Sequence, residues 1–301
     1  WDPNNGSELP IASNRATNNI SNMDYHYSSF YFVETTPFVT SIISLCGLVG
    51  NGIVIWLLGF CIKRNPFSVY ILNLATADFT YLLCNTMWML YFIFVDKYIY
   101  NLLLSALAFS FYMVSLSFLS AISTERCLSV LFPLWYKCHR PAHLSAVTCA
   151  ITWALLLCLL LLVLLDICVL PGEVLHNLVL SLFCVLFFLV FTVVCVSSLI
   201  LVIKVRCCSR RRQSSKLYLV IFFTVLAFLI FGLPWGITLM TSFLSLSLLY
   251  PSQVYYITNL LSAVNSSVNP IIHFFVGRMG QRQVQKPLRE VLQSALIDDA
   301  E

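Results

Sequence analysis

Between Lys216 and Arg278 the chain carries no Asp, Glu, Lys or Arg. A run of that length is too long for one membrane crossing, which takes about 20 predominantly apolar residues. Tyr250-Pro251-Ser252-Gln253 is a natural place to turn it into two helices. The same criterion gives seven candidate spans along the whole chain: Thr36–Ile62, Phe67–Phe94, Leu102–Ser123, Leu144–Leu165, Val174–Ile203, Leu217–Phe243 and Gln253–Val276. Each is longer than the roughly 9–11 residues of a barrel strand and lacks alternation. Helices therefore satisfy the backbone in lipid. The fourth span holds nine leucines between Leu155 and Leu165, worth roughly −3 to −5 kcal/mol of insertion. Only 10% of the residues are charged and 59% are hydrophobic, against about 25% charged in soluble domains. The expected fold is an all-α bundle of seven transmembrane helices over residues 36–276, with a tail at 1–35 and a further segment at 277–301.

Charge orients the bundle. Of the 17 Lys and Arg residues, 15 fall in alternate connections or in the last segment, and only Arg15 and Lys97 lie on the other side. The positive-inside rule then places the N-terminus outside and residues 277–301 in the cytoplasm. Arg210–Arg212 fit a short cytoplasmic loop beside anionic lipid, and no nucleic-acid partner is expected. The polar N-terminal stretch contains two glycosylation sequons, at Asn5 and Asn19. Val284, Leu288, Val291 and Leu292 could line one face of an amphipathic helix on the inner membrane surface, interrupted at Pro287. The 12 cysteines lie mostly within spans or on the basic side, where they stay reduced, and no Cys/His set has zinc spacing.

Asp78 is the one carboxylate deep within a predicted span. Placing Asp there costs roughly 2.5–3.5 kcal/mol, which marks it as functional and obliges it to face the bundle interior. Asn51, Ser115, Asn265, Ser266 and Asn269 supply polar groups at similar depth on three other spans. They form either a hydrogen-bonded packing cluster or a state-dependent polar core that takes a sodium ion, and we expect the second. At the basic end of span three, Glu125-Arg126-Cys127 is followed by an apolar run and Pro133-Leu134.

Together, Gly50-Asn51, Leu74-Ala75-Thr76-Ala77-Asp78, Glu125-Arg126-Cys127, Trp153 and Asn269-Pro270 resemble the rhodopsin-like G-protein-coupled receptors across all seven spans. Longer runs look like the Mas-related branch: Gly59 to Leu74, Ser123 to Leu131, Trp135-Tyr136-Lys137-Cys138-His139-Arg140-Pro141, Asn265-Ser266-Ser267 and Phe274-Phe275-Val276-Gly277. The resemblance implies a plasma-membrane receptor, not an enzyme, whose partners are a heterotrimeric G protein (Gq, Gi or both) and an extracellular ligand.

It also implies roles for single residues. Arg126 would bond Glu125 at rest and engage the G protein once span six swings out, and Leu134 after Pro133 would be the apolar plug into the Gα subunit. Asp78, Ser115, Asn265 and Asn269 match the family's sodium pocket. Pro234 supplies the span-six kink, and Gly232 stands where most relatives of the wider family have a toggle Trp. Pro270 precedes His273, which replaces the family's Tyr. Asn101 stands where the common outer-loop disulfide would begin. Some relatives bridge spans four and five instead; Cys168 matches one end of that bridge, and His176 stands at the other.

Ala108 occupies the position where amine receptors place their Asp, so a monoamine ligand is not expected. Trp88, Tyr91, Phe109, Tyr112, Trp235 and Tyr256 are aromatic candidates near the outer ends of the spans, with Asp166 and Glu173 as acidic ones. The net outer charge favours basic peptides or small cationic amphiphiles. In relatives that accept such ligands the second acid falls where Leu180 stands here. A retinal protein would need a Lys in span seven, and a transporter would show internal repeats and several intramembrane charges; neither is present. The alternative kept open by His273 is a receptor of the same fold that binds a ligand or partner receptor but couples weakly to G proteins.

Overall fold

The computed structural model describes residues 35–61, 66–94, 98–169, 172–207, 223–224, 226–243 and 252–279. Span one runs over Thr35–Cys61 and span two over Pro66–Phe94. Span three covers Tyr98–Leu131, and a short loop helix, Pro133–Cys138, follows it. Span four is Leu144–Val169 and span five Glu173–Cys207. The described part of span six comprises Phe228–Gly232 and Leu233–Phe243, and span seven is Ser252–Met279. Among the described residues no strand occurs. Among the described residues, five helices are long and apolar enough to cross a membrane by length and composition.

The helices overrun the expected spans at their ends. Span three continues from Ser123 to Leu131 because hydropathy marks only the lipid-facing stretch, whereas backbone hydrogen bonding continues past the charged Glu125 and Arg126. The connection between spans four and five shrinks for the same reason. Span four ends in a π-helical turn, Leu165–Val169, and span five starts at Glu173. The sequons at Asn5 and Asn19, residues 217–221 at the start of span six, residues 280–301 and the side chain of His273 lie outside what is described.

Spans two and three share the most extensive interface, and span three also packs on spans four and five. Their core is aromatic: Tyr70, Tyr81, Tyr112, Phe118 and Phe187 are fully buried. The opposite pattern holds on the rim. Leucines and other apolar side chains of spans one, four and five are exposed, including Leu157, Leu161 and Phe188, as a lipid-facing surface requires. Span seven is the most polar, yet Asn259, Ser262, Asn265, Ser266 and Asn269 are all buried, so its polar stripe faces the bundle. Spans one and seven approach closely at Gly47, where a Cβ would overlap the Ser267 side chain and Leu82. Small residues permit such approaches between membrane helices.

Candidate functional site

Asp78 sits at the crossing of spans two, three and seven, fully buried. Ser115 Oγ donates to its Oδ1 at 2.6 Å and Asn269 Nδ2 to its Oδ2 at 2.7 Å. Asn51 Nδ2 donates to the carbonyls of Gly47 and Ser266 at 3.0 and 3.1 Å, tying span one to span seven. No basic side chain among the described residues pairs with Asp78. The same layer holds buried polar atoms that lack a partner among the described residues: Asn51 Oδ1, both polar side-chain atoms of Asn265, and Asn269 Oδ1. Buried polar groups are normally satisfied. An uncompensated carboxylate beside several unpartnered oxygens suits a hard cation with water, since such ions take oxygen ligands.

Toward the Asp166 end the core becomes aromatic. Tyr112, fully buried, donates its hydroxyl to the Gly232 carbonyl at 2.7 Å. Gly232 closes a π-helical turn two residues before Pro234, the kind of local unwinding found at functional hinges. A Cβ at Gly232 would lie 2.8 Å from Phe228 Cδ2 and 3.3 Å from Asn265 Nδ2. Glycine thus leaves room for the Phe228 ring of the same helix and lets span six lie against Asn265 of span seven. Phe109 stacks on Tyr112 and lies 5.0 Å from Phe183 by ring centroids. Trp88, Trp235 and Tyr256 are each in edge contact with Tyr255. Tyr91 is half-buried. Two further polar links join spans two and seven: Asn85 and Asn259 exchange amide bonds, and Tyr81 meets Ser262. At the rim, His176 Nδ1 lies 2.9 Å from Asp166 Oδ2, while Glu173 is exposed and Cys168 is a free thiol. The junction of spans four and five that the resemblance associates with a disulfide is here a polar contact.

The other end is built around Glu125. Its partners are Tyr70, whose hydroxyl donates to Oε1 at 3.0 Å, and Arg140, which donates from Nη2 to Oε1 at 2.9 Å and from Nε to Oε2 at 3.1 Å. This corrects the expected Glu125–Arg126 pair. Adjacent residues on a helix point about 100° apart and do not face each other, so the carboxylate takes the partner that reaches it squarely. Arg126 instead lies over the Phe67 ring, its Cζ 3.3 Å from the centroid. Burial alone would push the Arg140 guanidinium down, but the Glu125 carboxylate more than offsets this and holds it above its ordinary value. Beyond Pro133, Leu134 is 82% exposed, an apolar side chain projecting from the loop helix.

The chain matches the family model of the 7 transmembrane receptor (rhodopsin family) over residues 50–273. It is 47% identical over 273 residues to "Mas-related G-protein coupled receptor member X1" of Homo sapiens, covering 87% of this chain and 83% of that one. The chain belongs to the Mas-related receptors. Member X1 of Rattus norvegicus is 42% identical over 89% of this chain and 86% of its own. Member A7 of Mus musculus is 42% identical over 86% and 88%, respectively. The Mas-related chain is accordingly a multi-pass receptor of the plasma membrane.

Within this Mas-related bundle the structure gathers Asn51, Asp78, Ser115, Asn265 and Asn269 in one layer, and Phe109, Tyr112 and Gly232 in the next. It leaves Asp166 on His176 at the rim and does not join it to Glu173. Sequence reasoning missed Tyr255, Tyr70 and Arg140. Tyr255 is the ring that Trp88, Trp235 and Tyr256 share, and the Tyr255-Tyr256 pair was the available signal. Arg140 lies in the Trp135–Pro141 stretch, whose residue types carry no sign of its partner.

Proposed function

We propose that this Mas-related receptor binds basic peptides or small cationic amphiphiles at its Asp166 end and activates Gq, Gi or both at its Arg126 end. On this reading the N-terminus is extracellular and the basic end is cytoplasmic, as the distribution of Lys and Arg favours. The observation that carries the coupling half is the presence of buried Arg126 and exposed Leu134 at the same end of the bundle. Leu134 supplies an exposed apolar contact at the end of the bundle that also carries Arg126, and arginines are among the residues that dominate interface energies.

The ligand half rests on charge. Asp166 is only 12% exposed in its side chain and bonded to the more exposed His176, which a cation can displace from it. Between the two ends, Asp78 with Ser115, Asn265, Ser266 and Asn269 would hold a sodium ion, whose charge would stabilise the resting packing of spans two, three and seven. Signalling would then consist of span six swinging out at the Gly232–Pro234 hinge while this polar layer repacks.

The test is to express the chain and measure calcium release and cAMP suppression against a library of basic peptides. Arg126→Ala should abolish both outputs, and Asp166→Asn should weaken cationic agonists. A response unchanged in Arg126→Ala contradicts the coupling assignment. Full potency of cationic agonists on Asp166→Asn removes Asp166 as their counter-charge. Peptide binding at the surface without either output would favour the weakly coupling receptor.

A further inference from the structure

The loop helix Pro133–Cys138 has two unlike sides. Tyr136 holds the inner one: its ring centroid lies 5.3 Å from the guanidinium carbon of Arg140, and Arg140 donates from Nη2 to Ser145 Oγ at 2.6 Å. Ser145 is buried in the first turn of span four. At about 100° per residue, Leu134, Trp135 and Cys138 share one arc of about 100°, centred about 150° away from Tyr136. All three are exposed, Leu134 strongly and Trp135 at 40%, and so is Phe132, which caps the helix. Lys137 and His139 take the register positions on the two borders of this arc. From Phe132 to His143 the chain carries no acidic residue.

The neighbouring span fixes the depth of this face. Span four is an apolar helix over Leu144–Val169, 26 residues. It is about 39 Å long at about 1.5 Å per residue, against a hydrocarbon core of about 30 Å. Its first turn therefore reaches the level of the lipid headgroups, and the Tyr136–Arg140–Ser145 contacts set the loop helix beside that turn. Val147, one turn further in, is an exposed apolar residue on the lipid side. An apolar arc with Leu and Trp, bordered by basic positions, is the composition of a helix lying in the interface, and Trp favours that depth.

We propose that this face of the loop helix is seated in the headgroup–acyl boundary of an anionic leaflet, with Leu134, Trp135 and Cys138 in lipid and Lys137 and His139 at its borders. Lipid is the occupant because the helix is tethered at both ends to membrane spans, and because its basic, acid-free segment complements anionic headgroups. A six-residue helix gains little apolar contact alone, but spans three and four already hold this one at the surface. On the coupling reading above, a Gα subunit must draw Leu134 out of that seat; the seat itself does not depend on that reading.

The experiment uses the full chain in nanodiscs of phosphatidylcholine with and without phosphatidylserine, the phosphatidylcholine brominated near the headgroup end of its acyl chains. Of the six tryptophans, Trp135 is read as the difference between the unsubstituted chain and Trp135→Phe. Its emission should be lost to brominated lipid and spared by aqueous iodide, more so with phosphatidylserine present. Lys137→Gln should move the bound-to-free ratio about fivefold toward the free form, the attraction of one basic residue to an anionic surface. Leu134→Asp should release the helix and open Trp135 to iodide. In the unsubstituted chain, photoreactive acyl chains should label the peptide that holds Leu134 and Trp135, which carries the test if a variant does not fold. Emission quenched by iodide and not by brominated lipid, or no acyl labelling of that peptide, overturns the lipid seat. Quenching equal with and without phosphatidylserine overturns an anionic surface as the occupant. Protection from iodide that appears only when a heterotrimer is added assigns the face to Gα alone and overturns the proposal. Both leaflets carry the same lipid, so none of these results depends on which end of the receptor faces the cytoplasm or on whether it couples.

Discussion

Tyr112→Phe removes one oxygen from a fully buried ring and leaves the ring's packing against Phe109 and Tyr81 in place. What is lost is the 2.7 Å bond to the Gly232 carbonyl. Hydrogen bonds between membrane helices contribute about 0.6 kcal/mol on average and up to about 1.7, and soluble ones about 0.5–1.5. The short distance and complete burial argue for the upper half of that range, so about 1 kcal/mol is the working figure. If span six must leave span three during activation, this bond exists in the resting arrangement and is broken in the active one. Removing it then shifts the balance toward the active arrangement by a factor of about five. The assay is agonist-free nucleotide exchange on purified Gα by the receptor in nanodiscs, alongside thermal unfolding of the same preparation. Basal exchange should rise about fivefold while the resting form loses a few degrees of thermal stability. Lower basal exchange, or exchange unchanged with the stability loss present, would mean that the bond survives in both states and that span six does not hinge at Gly232.

Other substitutions probe the remaining layers. Asp78→Asn keeps the shape of the buried group but removes its charge. Unfolding temperature should rise with sodium concentration in the unsubstituted chain and become indifferent to sodium in the variant, with potassium as the control. Gly47→Ala places a methyl group where the Ser267 side chain and Leu82 already lie; it should cost about 1–3 kcal/mol by overpacking, read as a lower unfolding temperature and reduced surface expression. His176→Ala uncovers Asp166, now held at 2.9 Å by the imidazole, and should raise the potency of a cationic agonist several-fold. Potency that falls instead would make His176 part of the ligand site rather than its competitor.

Much of this architecture is legible in the sequence because lipid imposes a simple code. Span positions follow from runs without charge, and the depth of Asp78 follows from its place within one of them. Its partners Ser115 and Asn269 are also foreseeable, since a buried carboxylate admits few others at that depth. The contacts of Glu125 are not. Whether Glu125 meets Arg126, Arg140 or Tyr70 depends on how span three is rotated against span two and on the path of the loop after Cys138, and neither leaves a trace in hydropathy. Tyr255 was missed for a similar reason. It and Tyr256 differ by about 100° around span seven, and only the packed bundle shows that Tyr255 touches both Trp88 and Trp235. The helix ends went astray in a third way, because hydropathy stops at the first charge while helical hydrogen bonding continues.

The central claim is that the end carrying Arg126 and Leu134 engages a heterotrimeric G protein. Its most direct test is guanine-nucleotide exchange on purified Gq and Gi by the full chain in nanodiscs, with Arg126→Ala and Leu134→Asp measured beside it at matched receptor amounts. The account predicts catalysed exchange on at least one of the two heterotrimers, lost in both variants while each still unfolds cooperatively. Exchange that persists undiminished in Arg126→Ala and Leu134→Asp would contradict it.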